Sequence, residues 1–123
     1  MADEETMLRT ALRAKIHRAI VTETHLHYEG SVTVDSALLE AADIREFEQV
    51  HIYDVNNGAR FVTHAIAGPA NSGVICMNGA GARLVATGDL IIICSYAQYD
   101  EAEFRNLKPR VVLVDGENRV TIP

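Results

Sequence analysis

A chain of 123 residues with 48% hydrophobic content has room for one modest core and falls within the size of a single domain. Acidic residues outnumber basic ones 17 to 11, giving a net charge of −6, the opposite of the excess that neutralises nucleic-acid phosphates or anionic lipid. Neither nucleic acid nor a membrane is expected as a partner.

The opening Met1-Ala2-Asp3-Glu4-Glu5-Thr6 has no basic segment followed by an apolar one, and reads as an unstructured leader over residues 1–6. The longest aliphatic run, Leu90 to Ile93, is far too short to span a bilayer, so a cytoplasmic protein is expected. Cys76 and Cys94 each sit in an apolar run, where a cysteine usually acts as a small, reduced, buried hydrophobe.

From Leu12 to Ile20 the residues alternate. A strand here places Leu12, Ala14 and Ile16 on one face and Arg13, Lys15 and His17 on the other, a cationic strip. After His25-Leu26-His27-Tyr28, the sequence Glu29-Gly30-Ser31 breaks the chain before a second alternating run, Val32-Thr33-Val34. Asp35 is suited to cap a helix over Ser36 to Asp43, whose Leu38, Leu39 and Ala42 share one face. A strand near Val50 to Val55 turns at Asn57-Gly58 and returns through Arg60 to Ile66. That dipeptide predicts a type I′ turn, in which both central residues need positive φ.

Gly68 to Gly73 reads as a loop, followed by a short strand, the small-residue segment Asn78 to Ala82 and a further strand near Arg83 to Val85. Leu90 to Cys94 is a continuous apolar run, as in a strand buried on both sides. Asp100 to Asn106 predicts a short helix, and Val111 to Val114 with Asp115-Gly116 a last strand and turn. Many short strands with one or two short helices predict a mainly β fold, a small barrel over residues 1–123.

Signatures of nucleotide chemistry are missing: Gly79-Ala80-Gly81 lacks the third glycine of a dinucleotide fingerprint. His25 and His27 can share a strand face, but no cysteine or second histidine cluster lies near them in sequence. Hydrogen-bonding histidines, and no metal, are therefore expected. Gly30-Ser31 carries the sharpest alternative to an ordinary turn. A glycine permits strained backbone, so the Ser31 hydroxyl can be aimed at the Gly30 carbonyl carbon for an N→O acyl shift. The ester loses its acyl part by β-elimination, and the dehydroalanine left hydrolyses to a pyruvoyl group with release of ammonia.

The stretches Leu8-Arg9-Thr10, Lys15-Ile16-His17-Arg18, Leu26-His27-Tyr28-Glu29-Gly30-Ser31, Leu38 to Ala42, Asn57-Gly58-Ala59-Arg60-Phe61, Asn78-Gly79-Ala80 and Gly88-Asp89 together resemble the bacterial aspartate 1-decarboxylase family. The resemblance runs in register from Met7 to Val114. It implies a double-psi β-barrel and cleavage into a β chain of residues 1–30 and an α chain of residues 31–123. It also implies a homotetramer with active sites between subunits, and decarboxylation of L-aspartate to β-alanine for pantothenate and coenzyme A. It leaves a maturation factor as an open partner. The implied cofactor is a covalent pyruvoyl group derived from Ser31, which forms a Schiff base with the substrate, without metal or pyridoxal phosphate. Arg60 and Lys15 would hold the substrate side-chain carboxylate, Thr63 would polarise the Gly30 carbonyl, and Tyr28, Asn78, Gly79 and Ala80 would line the site. His64 stands where the family has a proton-donating tyrosine, and is the candidate donor here. Tyr53 stands where tryptophan is common. Two readings compete with this one: a non-enzymatic barrel that keeps Gly30-Ser31 intact, and the same chemistry on another amino acid such as glutamate.

Overall fold

The computed structural model describes residues 7–121; the leader expected over residues 1–6 lies outside them. Eight strands are present: β1 Arg9–Ile20, β2 Glu23–His25, β3 Ser31–Asp35, β4 Gln49–Asp54, β5 Arg60–Gly68, β6 Ile75–Asn78, β7 Leu90–Tyr99 and β8 Arg110–Leu113. Two short helices, α1 Ser36–Ala42 and α2 Glu101–Arg105, and a 3-10 turn at Gly79–Arg83 complete the mainly β architecture. The strands form one sheet in the order β2-β6-β3-β5-β4-β7-β1-β8.

Alternation dictates the core. Ala14 and Ile16 of β1, Val32 and Val34 of β3, Val50 and Ile52 of β4, and Ile91 and Ile93 of β7 are buried, and Leu38, Leu39 and Ala42 of α1 close over them. Asp35 caps α1 by accepting from Ala37 N (2.8 Å). The same carboxylate accepts from Asn71 N (2.9 Å) and Gly73 N (2.9 Å), so one side chain fixes both the helix start and the loop leading into β6. Asp100 and Glu103 form a reciprocal capping box on α2.

Four expectations need correction. The β4–β5 hairpin forms, but Asn57 has no positive φ; only Gly58 does (79°). The Asp54 carboxylate accepts from Asn56 N (2.8 Å) and Asn57 N (3.1 Å), and Gly58 N donates to Asp54 O (2.9 Å). The link is thus a wider, aspartate-braced loop instead of a two-residue type I′ turn. The strand expected at Arg83 to Val85 is replaced by the 3-10 turn, closed by Leu84 N donating to Gly81 O (3.0 Å). β7 runs on to Tyr99, and Leu90 and Ile92 are only half-buried, so it is not covered on both faces. Finally, β2 ends at His25, so His27 does not share a strand face with it. Arg13, Lys15 and His17 stay half-exposed on the face opposite Ala14 and Ile16; beyond them the register shifts between Ile16 and Ala19, where Arg18 has φ 64°.

Candidate active site

Ser31 opens β3 directly opposite Asn78, the last residue of β6. Both are nearly enclosed, at 4% and 7% exposure. The Asn78 amide Nδ2 donates to Ser31 Oγ (3.0 Å) and to Thr33 Oγ1 (3.0 Å). Ser31 Oγ in turn donates to the Glu29 carbonyl (3.3 Å), so the hydroxyl is turned back along the chain, past Gly30. Cys76 donates from Sγ to Asn78 Oδ1 (3.3 Å). Burial, with the Glu23 carboxylate nearby, pushes the Cys76 thiol above its ordinary pKa and keeps it a donor. With a donor on Oδ1, the Asn78 amide is oriented with its N–H groups toward the two hydroxyls.

Gly30 is not the strained residue. Its φ is outside the left-handed region and a Cβ on it would meet nothing within 4 Å. The constrained glycine is Gly79 (φ 74°), where a Cβ would lie 2.8 Å from both N and Cα of Gly30 and 2.9 Å from the Tyr28 carbonyl oxygen. Gly79 therefore lets the 3-10 turn press against the Gly30-Ser31 junction. A cleft of about 500 Å³ opens beside Ser31, lined by His27, Tyr28, Glu29, Thr33, Ile66 and Asn78. The Tyr28 ring is exposed and stacks on His25, with centroids 4.7 Å apart.

Lys15 and Arg60 lie elsewhere on the sheet. Lys15 pairs with Cys94, and Cys94 pairs with His51, placing the three in one row across β1, β7 and β4. Arg60 faces Tyr53 across the β4–β5 hairpin, its guanidinium 4.0 Å from the ring centroid. Tyr53 is held by a hydroxyl–hydroxyl hydrogen bond to Tyr96 (2.8 Å). Burial raises the pKa of the Cys94 thiol, while a Tyr96 hydrogen bond and the charges of Lys15 and Arg60 draw it down, so both cations act on one neighbourhood. Arg13 on the same strip is committed to Glu48 (2.7 Å), whereas neither Lys15 nor Arg60 has a carboxylate partner among the described residues. Burial, together with Lys15 and Arg18, pushes His17 below the ordinary histidine value.

Thr63 and His64 line a second cleft, of about 530 Å³, with Phe47, Gln49 and Val62. Ala80 is exposed in the 3-10 turn. One chain therefore gathers Ser31, Asn78, Gly79, Gly30 and Tyr28 at one place, Lys15 and Arg60 at another, and Thr63 and His64 at a third. Sequence reasoning missed Thr33, Cys76 and Glu23, which strand register alone brings next to this set: Thr33 stands opposite Cys76, and Cys76 opposite Glu23. No cysteine lies near His25 in sequence, but the fold brings one to it: ligand atoms of Cys76, Glu23 and His25 lie within 4.8 Å of one another.

The aspartate decarboxylase family matches residues 7–121. The aspartate 1-decarboxylase of Syntrophobacter fumaroxidans is 64% identical over 113 residues, 92% of this chain and 91% of the relative. That of Methylibium petroleiphilum is 59% identical over 93% of this chain and 95% of the relative, and that of Lactiplantibacillus plantarum 57% identical over 94% and 88%. A match that spans nearly the whole chain leaves one conclusion: the chain belongs to the aspartate decarboxylase family, a family of carboxy-lyases.

Proposed function

We propose that this chain cuts itself between Gly30 and Ser31 and then decarboxylates L-aspartate to β-alanine at the group made from Ser31. The observation that carries the reading is the state of the Ser31 oxygen: it accepts from Asn78, is turned back past Gly30, and sits at a junction pressed by Gly79. In the first step Ser31 Oγ attacks the Gly30 carbonyl carbon and the Ser31 nitrogen leaves as an amine, giving an ester. Loss of the Ser31 α-proton expels the Gly30 carboxylate, and water replaces the nitrogen of the resulting dehydroalanine, which leaves as ammonia. Thr63 polarises the Gly30 carbonyl in this reading.

The residues fit a pyruvoyl group at position 31, because the cleft beside Ser31 is open and Asn78 Nδ2 borders the place that Ser31 Oγ vacates when it leaves with the Gly30 carboxylate. When formed, that group supplies a ketone that takes the substrate amine and withdraws electrons from the breaking carbon–carbon bond. The chain's own residues do the rest. Arg60 presents a planar fork to the substrate side-chain carboxylate and Lys15 adds a point charge. Tyr28, Asn78, Gly79 and Ala80 line the site, and His64 holds the proton delivered to carbon.

Because Lys15 and Arg60 do not line the Ser31 cleft, the reading places the active site between subunits of a homotetramer, with one chain's cations facing another's Ser31. Free, buried Cys76 and Cys94 fit a reducing compartment, and we assign the enzyme to the cytoplasm and to β-alanine supply for pantothenate and coenzyme A. Among the described residues no helix is long and apolar enough to cross a membrane.

Mass measurement under denaturing conditions tests the reading. Residues 1–30 and 31–123 are expected as separate chains, the second lighter by one ammonia than its unmodified sequence. Ser31→Ala is expected to stay whole and inactive. A wild-type chain that stays whole after prolonged warming yet decarboxylates aspartate overturns the mechanism.

A further inference from the structure

Parallel pairing of β2 with β6 sets Glu23 opposite Cys76 and His25 opposite Asn78. Glu23 and His25 are two residues apart on one strand and so share a face, with Glu23 Oε2 2.9 Å from His25 Nε2. Cys76 Sγ joins them, and one ligand atom from each of the three lies within 4.8 Å of the others. Ligands held at about 2.0–2.3 Å around a tetrahedral ion sit roughly 3.3–3.8 Å apart, so the widest gap in the trio must close by at most about 1–1.5 Å while the Glu23–His25 pair opens by roughly 0.4 Å or more. The two outer side chains have that freedom, being 51% and 40% exposed, while Cys76 anchors the buried side. A thiolate, an imidazole and a carboxylate form a donor set that suits zinc-class ions and not magnesium or calcium, and three protein ligands leave a fourth position for water.

We propose that Glu23, His25 and Cys76 form a binding site for a divalent zinc-class ion, and that filling it slows cleavage at Gly30-Ser31 by removing Cys76 from Asn78. The second half rests on the self-cleavage reading; the first does not. Coordination converts the thiol to a metal-bound thiolate and releases its proton to solvent. The S–H donor on Asn78 Oδ1 is then gone, and an anionic sulfur 3.3 Å from that oxygen favours turning the amide. Asn78 Nδ2 is thereby freed from Ser31 Oγ and Thr33 Oγ1, the contacts that hold the nucleophile.

The site is tested by titrating cobalt(II) into full-length Ser31→Ala, under reducing conditions, and reading the near-ultraviolet thiolate-to-cobalt band. One equivalent per chain is expected. Adding Cys76→Ser abolishes the band, adding Cys94→Ser leaves it, and adding His25→Ala or Glu23→Ala weakens binding at least roughly tenfold. Absence of the band, or its survival in the Cys76→Ser background, overturns the site. The second half is read by following cleavage of freshly translated wild type with and without saturating zinc. About tenfold slowing is expected in wild type and none in His25→Ala at the same zinc concentration. Equal rates with and without zinc in wild type overturn it. A wild type that stays whole even without metal overturns the self-cleavage reading instead, while the cobalt band still decides the site.

Discussion

Gly79 and Gly30 meet backbone to backbone: a Cβ at position 79 would lie 2.8 Å from both the nitrogen and the Cα of Gly30. In the self-cleavage proposed above, the glycine expected to matter is therefore the one pressing on the junction, not the one inside it. Gly79→Ala must carry both that overlap and a φ of 74°, itself a cost of about 1–2 kcal/mol for a residue with a Cβ. We expect its folded fraction to cleave at least roughly tenfold more slowly than wild type. Gly30→Ala meets no atom within 4 Å and is expected to change stability by less than about 0.5 kcal/mol and still to be cut. Wild-type cleavage rates in folded Gly79→Ala would remove the contact from the mechanism.

Arg60→Ala is expected to be fully processed but poor with aspartate. Loss of a charge-assisted, two-pronged carboxylate contact costs about 2–5 kcal/mol, roughly 30-fold to several-thousand-fold in kcat/KM. Tyr53→Ala removes the ring under the guanidinium, worth about 0.5–1 kcal/mol at an exposed site, along with its hydroxyl contact to Tyr96, so a rise in KM of roughly two- to fivefold is expected. Normal aspartate kinetics in processed Arg60→Ala would take Arg60 out of the substrate site.

His64 sits on β5 one residue before Ala65, which pairs with Val32, so the strand carries it to the level of Ser31. In the proposed role of donor to carbon it is replaceable by another acid and not by an amide. His64→Tyr is expected to keep kcat, while His64→Gln falls by about 10²-fold or more. A near-wild-type kcat in processed His64→Gln would assign the proton to another group.

Local signals were legible in the sequence wherever a few neighbouring residues settle the structure. Asp35 before Leu38, Leu39 and Ala42 predicted α1, and the run Asp100 to Asn106 anticipated α2, because caps and helix faces are short-range. The hairpin at Asn57-Gly58 was legible but its geometry was not, since the Asp54 carboxylate competes for the backbone donors of the turn. Gly30-Ser31 was legible as a junction and Asn78 through the family resemblance, yet the contact between Ser31 and Asn78 was hidden. Ser31 meets Asn78, and Glu23 meets Cys76, only through pairings set by sheet order, which no window of sequence contains.

Asp54 offers a pH test of the loop that carries Arg60. Its carboxyl oxygen Oδ2 is buried with no donor, while its other oxygen braces Asn56 and Asn57. Burial first, then the neighbouring Asp89 carboxyl, raises the Asp54 pKa above its ordinary value; the backbone N–H groups of Asn57 and Asn56 oppose this. Asp89 is correspondingly lowered, by Asp54 beside it first and then by Ala86 N, so of the two carboxyls Asp54 is the one biased to hold a proton. The folded state therefore binds this proton more tightly than the unfolded chain. The stabilisation is complete below the ordinary aspartate value and is lost as pH rises through the raised folded value. Asp54→Asn keeps an oxygen for the two backbone donors and offers an N–H toward Asp89 without titrating. Thermal melts from pH 4 to 8 are expected to show Asp54→Asn gaining on wild type as pH rises, with the aspartate KM unchanged because the loop is preserved. Asp54→Ala, which loses both braces, is expected to be less stable at every pH and to raise KM. A stability difference between Asp54→Asn and wild type that stays constant from pH 4 to 8 would show that Asp54 is not held protonated in the fold.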